Sequence, residues 1–521
     1  MKKIFSLFLA CLVILSSFTL FGCEKNNKSN DTTILRICNC EDYIDESLLE
    51  DFTEETGIEV IYSTYGTNEN LYNELVINPN SYDLVVPSEY MIQKLASEGR
   101  IQKLDFSRLL DYKPSPFIQE RLEQLTFTVQ DGENKGKTES LDQYMVGYMW
   151  GTMGWVYNVD EVNESDVISW HGPFENHDLS KKITIKDSVR DSYIVGLGMV
   201  YEEELLTAVN EENNAKISEI LNRTSQEDID KVGEMLSSLK PMLYGFEVDS
   251  GKNDIILGNI NAYVAWSGDA AYAIDVAAGL VEDEDGTILE GDDIRNLSYY
   301  IPDEGGNIWF DGLVMPSAST NYDAVYKFLN FISRPDSVYR NMDYIGYTSV
   351  VADGEFELED EDTGTIYTTT LFDEMVLGKF DVSESPEYLN ATTQERDENY
   401  RYVDLSYFYG APDGTYTLVV HKNSYGRLIA QYPTYDEVLR CAVMKNFSSE
   451  TLLSINDMWE SVKGETFPIW LIILIAGLVL LLALFVVLYR NKDKISWFKL
   501  PERKQTRLEE KGYKVVKKEN I

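Results

Sequence analysis

The sequence predicts an α/β protein with two lobes that share one cleft, followed by a C-terminal transmembrane helix. Strands and helices alternate from Ile34 onward, which is typical of a parallel sheet covered by helices. The alternation starts again near Ile183, and 521 residues are enough for two or three domains. An uncharged apolar run near the end of the chain has the length of about 20 residues that a bilayer-spanning helix needs.

The N-terminus has the layout of a secretory signal peptide, with two lysines before a largely apolar run from Ile4 to Phe18. The following Leu20-Phe21-Gly22-Cys23 resembles the lipobox of bacterial lipoproteins, in which the cysteine is lipidated and becomes the new N-terminus. We therefore expect a lipoprotein-type signal over 1–22, lipidation at Cys23 and a polar linker over 23–32. A plain signal, cleaved or uncleaved, is the alternative, because the phenylalanine is bulkier than is usual at its place.

The first lobe is expected to begin over 33–148 with short alternating elements. Apolar runs bounded by turn residues predict the strands, and apolar residues at helical spacing predict the helices. A glycine can terminate the first helix and a serine can cap the third. The predicted elements are a strand over Ile34–Ile37, a helix through Leu48, Leu49 and Phe52 that ends at Gly57, a strand over Ile58–Tyr62, a helix over Glu69–Val76, a strand over Asp83–Val86 and a helix from Ser88 to Gly99.

A second alternation predicts the other lobe. Strands at Ile183–Ile185 and Ala262–Ala265 belong to it, and we assign its first part to 149–308. We expect 309–345 to return to the first lobe and 346–465 to complete the second. Within the last segment, about 352–431 is acidic and turn-rich with few helical patterns, which predicts an insertion on one lobe that can include a hairpin.

The C-terminus predicts the orientation in the membrane. No charge interrupts Trp470–Tyr489, so we expect a transmembrane helix over 469–489. The tail over 490–521 carries eleven Lys or Arg and five Asp or Glu, and positive charge favours the cytoplasmic side. The body should then lie on the extracytoplasmic face of the cell membrane.

The whole chain has a net charge of −43. Such a charge attracts cations and repels nucleic acid and anionic lipid, so no nucleic-acid partner is expected. The alternative is that the acidity serves solubility alone.

Cysteine and histidine usage excludes several classes of site. Outside the signal and the lipobox, only Cys38, Cys40 and Cys441 remain, which form neither a disulfide framework nor a zinc pattern. Cys38 and Cys40 should share one face of a strand without bonding. The three histidines are not in a metal-ligand spacing. We expect no metal and no cofactor.

Two partial motifs are rejected. Gly136-Lys137-Thr138 resembles the end of a phosphate-binding loop, but Asp131 stands where the first glycine is needed. Asp283, Asp285 and Gly286 imitate part of a calcium-binding loop, but Val281 stands at the first ligand position. An acidic surface hairpin is the preferred interpretation of the second motif.

Carboxylates and aromatic rings follow several predicted strands. In a parallel α/β sheet, ligands bind at the carboxyl ends of the strands. Rings contact methylene groups and attract ammonium groups with about 0.5 to 2 kcal/mol each, and carboxylates accept charge-assisted hydrogen bonds. We expect Arg190 to be the only basic group among them, which suits a ligand with positive ends and an apolar middle. The strand-end residues are Asp42, Tyr43, Ser88, Tyr90, Asp191, Trp266, Trp309 and Asp311. Taken singly, such a ring can be rim packing and such an aspartate a helix cap.

With these residues in place, the chain closely resembles the spermidine/putrescine-binding proteins of bacterial ABC importers. The resemblance covers about Leu35–Tyr347 and resumes over Gln431–Gly464. The motifs that carry it are Glu50-Asp51-Phe52-Thr53-Glu54-Glu55-Thr56-Gly57-Ile58, Tyr82-Asp83-Leu84-Val85-Val86-Pro87-Ser88, Ala265-Trp266-Ser267-Gly268-Asp269-Ala270-Ala271-Tyr272 and Ile345-Gly346-Tyr347.

The resemblance implies a periplasmic-binding-protein-like fold with a hinged cleft that ligand stabilises in its closed form. It also implies a non-catalytic receptor for polyamines, with ABC permease subunits and their cytoplasmic ATPase as partners, and attachment to the membrane by a lipid anchor and the C-terminal helix. By the same resemblance, rings wall the polyamine chain, Ser88 donates or accepts at the rim, and carboxylates hold the ammonium groups. The wall residues are Tyr43, Tyr90, Trp266, Trp309 and Tyr347, and the carboxylates are Asp42, Asp191 and Asp311.

Three departures from the family leave the preferred polyamine length open. Cys40 stands where a stacking tryptophan is usual, Ser188 stands where an aspartate is frequent, with Asp187 beside it, and Met444 replaces a polar residue near the far amine.

Two other functions were weighed. One is a binding protein of the same fold for another small cationic solute, and the tryptophan lost at Cys40 is its best argument. The other is an exported glycoside hydrolase, which also uses aromatics and paired carboxylates. No hydrolase signature accompanies them here.

Overall fold

The computed structural model describes residues 33–131, 134–282, 286–360 and 363–464. Of the described residues, those through Trp459 form one compact unit, and a second unit begins at Glu460. The strands are β1 (Ile34–Cys40), β2 (Glu59–Tyr65), β3 (Leu84–Val85), β4 (Thr126–Thr128), β5 (Thr138–Ser140), β6 (Met145–Asn158), β7 (Ile183–Lys186), β8 (Leu243–Glu247), β9 (Ala262–Trp266), β10 (Leu297–Tyr300), β11 (Ile308–Val314), β12 (Thr348–Ser349), β13 (Glu355–Glu359), β14 (Ile366–Thr370), β15 (Tyr400–Asp404) and β16 (Thr417–His421).

Helices cover the faces of the sheets. The α-helices of the described residues are α1 (Ser47–Thr56), α2 (Asn68–Ile77), α3 (Glu89–Ser97), α4 (Pro116–Gln124), α5 (Glu164–Val167), α6 (Gly172–Glu175), α7 (Val189–Val200), α8 (Glu202–Asn210), α9 (Asn214–Ile220), α10 (Gln226–Leu239), α11 (Ser250–Ile256), α12 (Ser267–Ala277), α13 (Tyr322–Ile332), α14 (Pro335–Ile345), α15 (Gly378–Phe380), α16 (Pro386–Asn390), α17 (Thr393–Asn399), α18 (Ser406–Tyr409), α19 (Lys422–Gln431), α20 (Tyr435–Leu439) and α21 (Ser449–Lys463).

Ten strands form one mixed sheet in two halves. Its order is β2-β1-β3-β11-β6-β9-β7-β8, with β10 and β12 also paired to β6. The strands β1, β2 and β3 are parallel to one another, and so are β9, β7 and β8. Each half therefore carries the parallel βα pattern that the sequence predicts, and together they give a two-lobed fold of the periplasmic-binding-protein type.

The long strand β6 joins the two lobes. All of its 14 residues are buried. From Met145 to Thr152 it pairs with β11, and from Met153 to Tyr157 it pairs with β9. The chain therefore passes from the first lobe to the second inside one strand, near Thr152.

Apolar clusters cover both faces of the sheet in the first lobe. Alternation along β1 sends Leu35 and Ile37 to one cluster, with Phe52 of α1, and Cys38 to the other. The backbone N–H of Gly57 caps α1 with φ of 70°, a left-handed conformation that glycine adopts without strain. The thiols of Cys38, Cys40 and Cys441 are free.

The acidic segment after β12 contains two hairpins, β13 with β14 and β15 with β16. Its apolar side chains, among them Phe356, Phe408 and Val420, join the cluster that contains Phe117 of α4 and Trp150 of β6. The segment is therefore packed into the body by its own apolar residues and not tethered at its ends alone.

The predicted strands and helices of the first lobe are confirmed, with ends that move by up to three residues. Ser88 does lie at the N-cap of α3, but its side chain makes no capping hydrogen bond. Among the residues the structure describes, no helix is long and apolar enough to cross a membrane. The predicted signal over 1–22, Cys23, the transmembrane helix over 469–489, the tail over 490–521 and the acids Asp283 and Asp285 lie outside these residues.

Candidate functional site

Asp311 lies in β11 beside the point where β6 crosses between the lobes. The register of β11 against β6 shifts between Phe310 and Gly312, which is an irregularity of the β-bulge type. Such irregularities change the direction of a side chain and are frequent near binding sites. Ser88 pairs with Asp311 in an isolated antiparallel bridge, and the N–H of Phe310 donates to Oε2 of Glu89 at 3.0 Å. The start of α3 thus fixes the backbone on both sides of the carboxylate.

The Asp311 carboxylate is buried and only half satisfied. The Tyr43 hydroxyl donates to Oδ2 at 2.7 Å, whereas Oδ1 has no hydrogen-bond partner within the described part of the chain. Burial raises the pKa of Asp311 from 3.8 to about 6, and the Ser88 and Tyr43 hydroxyls oppose the rise. Burial also raises the pKa of Glu89 to about 8, with a smaller contribution from the Asp311 charge. A buried acceptor without a donor is uncommon in proteins, and a ligand can supply that donor.

Three aromatic rings form a connected group that reaches this carboxylate through the Tyr43 hydroxyl. The Tyr43 and Tyr347 rings meet edge to face with centroids 5.1 Å apart, and the Trp309 ring lies 5.6 Å from the Tyr347 ring. The indole Nε1 of Trp309 is buried and has no hydrogen-bond partner among the described residues.

Two glycines make room for these rings. A Cβ at Gly151 would lie 2.6 Å from the Trp309 ring, and a Cβ at Gly268 would lie 2.2 Å from the Tyr347 ring.

Trp266 lies at the end of β9, and a lysine occupies its face. The Lys186 Nζ, at the end of β7, lies 4.2 Å from the centroid of the Trp266 ring. The same ammonium is 3.5 Å from Oδ2 of Asp269 and 3.7 Å from Oε1 of Glu247. Oδ1 of Asp269 accepts a 2.9 Å hydrogen bond from the Tyr347 hydroxyl, which connects this group to the ring cluster. The expectation that Arg190 is the only basic group at these strand ends is therefore wrong.

Tyr90 is engaged by the protein as well. Its hydroxyl donates to Oε1 of Glu69 at 3.0 Å, and the Arg190 guanidinium lies 3.7 Å from its ring centroid. The other face of Arg190 contacts the Phe447 ring at 4.4 Å, and its Nη2 donates to the Lys445 carbonyl. Arg190 therefore joins the first lobe to the segment that carries Met444.

The remaining predicted residues lie in different surroundings. Asp191 is buried in the first turn of α7, where burial raises its pKa against the opposing Ser188 hydrogen bond and the positive charges of Lys186 and Arg190. Ser88 accepts a hydrogen bond from the Asn68 amide at 3.1 Å and is half-buried. Asp42 is exposed on a turn with φ of 51°. The structure thus joins Asp311, Tyr43, Tyr347 and Trp309 in one series of contacts and leaves Asp42 exposed.

Two of the residues that depart from the family motifs, Cys40 and Ser188, lie near the predicted site residues. Burial raises the pKa of the Cys40 thiol to about 12, and the nearby Asp311 charge makes a smaller contribution. The thiol is therefore neutral. The Ser188 hydroxyl accepts the N–H of Asp191 and caps α7.

The reasoning from sequence missed Lys186, Asp269, Glu247 and Glu89 as members of this site. Asp269 stands in the quoted motif and Lys186 directly follows a predicted strand, so position along the strands would have found both.

The fold and this site define a solute-binding protein. The chain belongs to the bacterial extracellular solute-binding protein family, whose model matches residues 47–355. Family and relatives are solute receptors, so the chain is not an enzyme.

Two bacterial relatives illustrate the similarity. The chain is 30% identical over 321 residues to the spermidine/putrescine-binding periplasmic protein of Salmonella typhimurium. This alignment covers 61% of this chain and 78% of the relative. The chain is 30% identical over 316 residues to the putrescine-binding periplasmic protein PotF of Escherichia coli, which covers 60% of this chain and 77% of the relative.

Two solved structures share the fold. The substrate-binding protein PotD of a spermidine/putrescine ABC transporter from Streptococcus pneumoniae superposes with a TM-score of 0.51 at 22% identity, over 83% of this chain and 98% of that one. The TpPotD lipoprotein of Treponema pallidum superposes with a TM-score of 0.52 at 16% identity, over 82% and 99%.

Proposed function

We propose that this protein is an extracytoplasmic receptor that captures polyamines of the putrescine and spermidine class and delivers them to an ABC importer permease. The observation that carries the proposal is the buried Asp311 carboxylate, whose Oδ1 has no hydrogen-bond partner among the described residues and whose Oδ2 is bonded to the first of three connected rings, Tyr43, Tyr347 and Trp309. The relatives named for spermidine and putrescine binding support it.

The chemistry of this group fits an alkylammonium. A ligand ammonium would give Oδ1 the donor it lacks, in a charge-assisted bond roughly twice as strong as a neutral one. The rings would contact the methylene groups and attract the charge with about 0.5 to 2 kcal/mol each. A neutral sugar would leave the carboxylate without a counter-charge, so the site selects for a cation.

The finer predicted residue roles extend this proposal. Asp191 would provide a second carboxylate, with Ser88 at the rim. Trp266 and Tyr90 would form outer walls, each with the face that Lys186 or Arg190 leaves open. Asp42, exposed on its turn, would attract the ligand to the cleft without being enclosed by it.

We also propose how the receptor is held. Lipidation at Cys23 and a transmembrane helix over 469–489 would keep the body beside a permease and its cytoplasmic ATPase. Tethering of this kind raises the effective concentration toward the millimolar range. Simple anchoring of the body is the plainer role of the helix, and it needs no direct contact with the permease.

Thermal unfolding tests the proposed ligand class. A ligand at about 100 times its dissociation constant stabilises the protein that binds it by about 2.7 kcal/mol. We expect putrescine or spermidine to raise the melting temperature of the purified body, and a sugar panel to leave it unchanged. A melting curve that no polyamine moves would rule the function out.

Protease treatment of intact cells tests the orientation. With the body outside and the tail inside, added protease should degrade the body and spare an epitope placed after Lys518. Loss of the epitope without lysis would reverse the assignment.

A further inference from the structure

The second lobe holds an ammonium of its own. Lys186 is 2% exposed, and its Nζ donates to the Val248 carbonyl at 2.8 Å. The Asp269 and Glu247 carboxylates lie 3.5 and 3.7 Å away, and the Trp266 indole lies below it at 4.2 Å. A carbonyl, two carboxylates and an aromatic face are the groups that would hold the ammonium end of a ligand, and here a side chain of the protein already occupies them.

This lysine lies at one end of a row of contacts that ends at Asp311. Asp269 accepts the Tyr347 hydroxyl at 2.9 Å, the Tyr347 ring meets the Tyr43 ring at 5.1 Å, and the Tyr43 hydroxyl donates to Asp311 at 2.7 Å. The two carboxylates at the ends of the row differ in one respect. Asp269 is paired with Lys186, whereas no lysine or arginine within the described ranges pairs with Asp311.

A second resident cation limits the site further. The Arg190 guanidinium covers the Tyr90 ring at 3.7 Å. Of the five predicted wall residues, Tyr43, Trp309 and Tyr347 carry no protein cation over their rings in the described part of the chain, and these three rings contact one another and reach Asp311 through the Tyr43 hydroxyl. The stretch left for a ligand is therefore the Asp311 end of the row.

We infer that Lys186 is a specificity-determining residue: its ammonium fills the cation position at Asp269 and so favours a short diamine over a longer triamine. The inference rests on the proposed polyamine function and adds to it the preferred ligand length. A diamine that pairs with Asp311 can end before it reaches Lys186. A triamine that extends along the same row brings a further ammonium toward a lysine whose two carboxylates are already engaged, and like charges at close range disfavour binding.

Calorimetry with putrescine and spermidine on two variants tests the role of Lys186. Wild type should bind putrescine at least about tenfold more tightly than spermidine. Lys186→Met keeps most of the aliphatic side chain and removes the ammonium, which frees Asp269, Glu247 and the Trp266 face for a ligand ammonium. We expect it to move the affinity ratio by at least about tenfold toward spermidine. Lys186→Arg keeps the charge and should keep the wild-type preference.

Each outcome decides one part of the account. A wild-type preference for spermidine, or a ratio in Lys186→Met within about threefold of wild type, would overturn the role of Lys186 and leave the polyamine function standing. Failure of both amines to bind wild type would overturn the function and this inference with it. Circular dichroism must show a native fold for Lys186→Met; if it does not, Lys186→Gln, which can still donate to the Val248 carbonyl, takes its place with the same expected shift.

Discussion

Replacement of Asp311 by asparagine should stabilise the unliganded protein and at the same time weaken ligand binding. The pKa of this carboxyl rises from 3.8 to about 6, so the folded protein holds the proton more tightly than the unfolded chain does. The stability that proton binding by this carboxyl contributes is therefore fully present below a pH of about 4 and is lost as the pH rises to about 6. At a pH of about 7.5 the ionised group lowers the free energy of unfolding by about 3 kcal/mol, since one pKa unit corresponds to about 1.4 kcal/mol.

The asparagine keeps the shape and the acceptor for the Tyr43 hydroxyl but removes the charge. We expect Asp311→Asn to raise the free energy of unfolding of the unliganded protein by about 1 to 3 kcal/mol at a pH of about 7.5. In the complex the variant loses a desolvated ion pair, so putrescine should bind more weakly by about 2 to 5 kcal/mol. A rim contact would lose only about 0 to 1 kcal/mol.

Urea denaturation without ligand and calorimetry with putrescine measure the two effects. Asp323→Asn is the matched control, because that carboxylate is 93% exposed in its pair with Arg108 and should change either quantity by no more than about 0.5 kcal/mol. If Asp311→Asn destabilises the unliganded protein and leaves the affinity within about threefold of wild type, Asp311 is a structural residue and the ligand binds elsewhere.

Three further predictions concern the same cluster. Affinity for putrescine should fall as the pH drops below about 6, because protonation removes the Asp311 charge; titrations across this range should show it, and a flat profile would contradict it. Tyr43→Phe removes a hydrogen bond that lowers the pKa of Asp311, so the pH at which affinity is lost should move upward; an unchanged midpoint would disprove the coupling. Gly268→Ala places a methyl 2.2 Å from the Tyr347 ring and should lower stability by about 1 to 3 kcal/mol and weaken putrescine binding, measured by urea denaturation and calorimetry. Gly245→Ala, where a Cβ meets nothing within 4 Å, is its control and should change neither; equal losses in both variants would refute the steric argument.

Local sequence signals were sufficient for the elements of the first lobe. Apolar residues at helical spacing and a terminal glycine predicted α1, and Gly57 ends it in the left-handed conformation that favours glycine. The acidic segment after β12 was harder, because its helices are short and its apolar residues are scattered. They meet only through distant partners such as Phe117 and Trp150.

The site was predictable as a set of residue types and less so as a geometry. Strand ends and family motifs predicted Asp311 and the three rings connected to it through Tyr43. The position of Lys186 at a strand end was visible in the sequence, but its pairing was not, because its two carboxylates come from β8 and α12. Which charges are paired within a protein depends on contacts far apart in sequence, and composition alone does not reveal them.

A calorimetric titration of the purified body with putrescine and, separately, with 1,4-butanediol shows whether the site requires a charged ligand. The diol has the same four-carbon chain but carries hydroxyl groups in place of the ammonium groups, so it can fill the ring cluster without providing a counter-charge to Asp311. We expect saturable one-to-one binding of putrescine and no measurable heat from the diol. Equal affinity for both, or binding of neither putrescine nor spermidine, would contradict it.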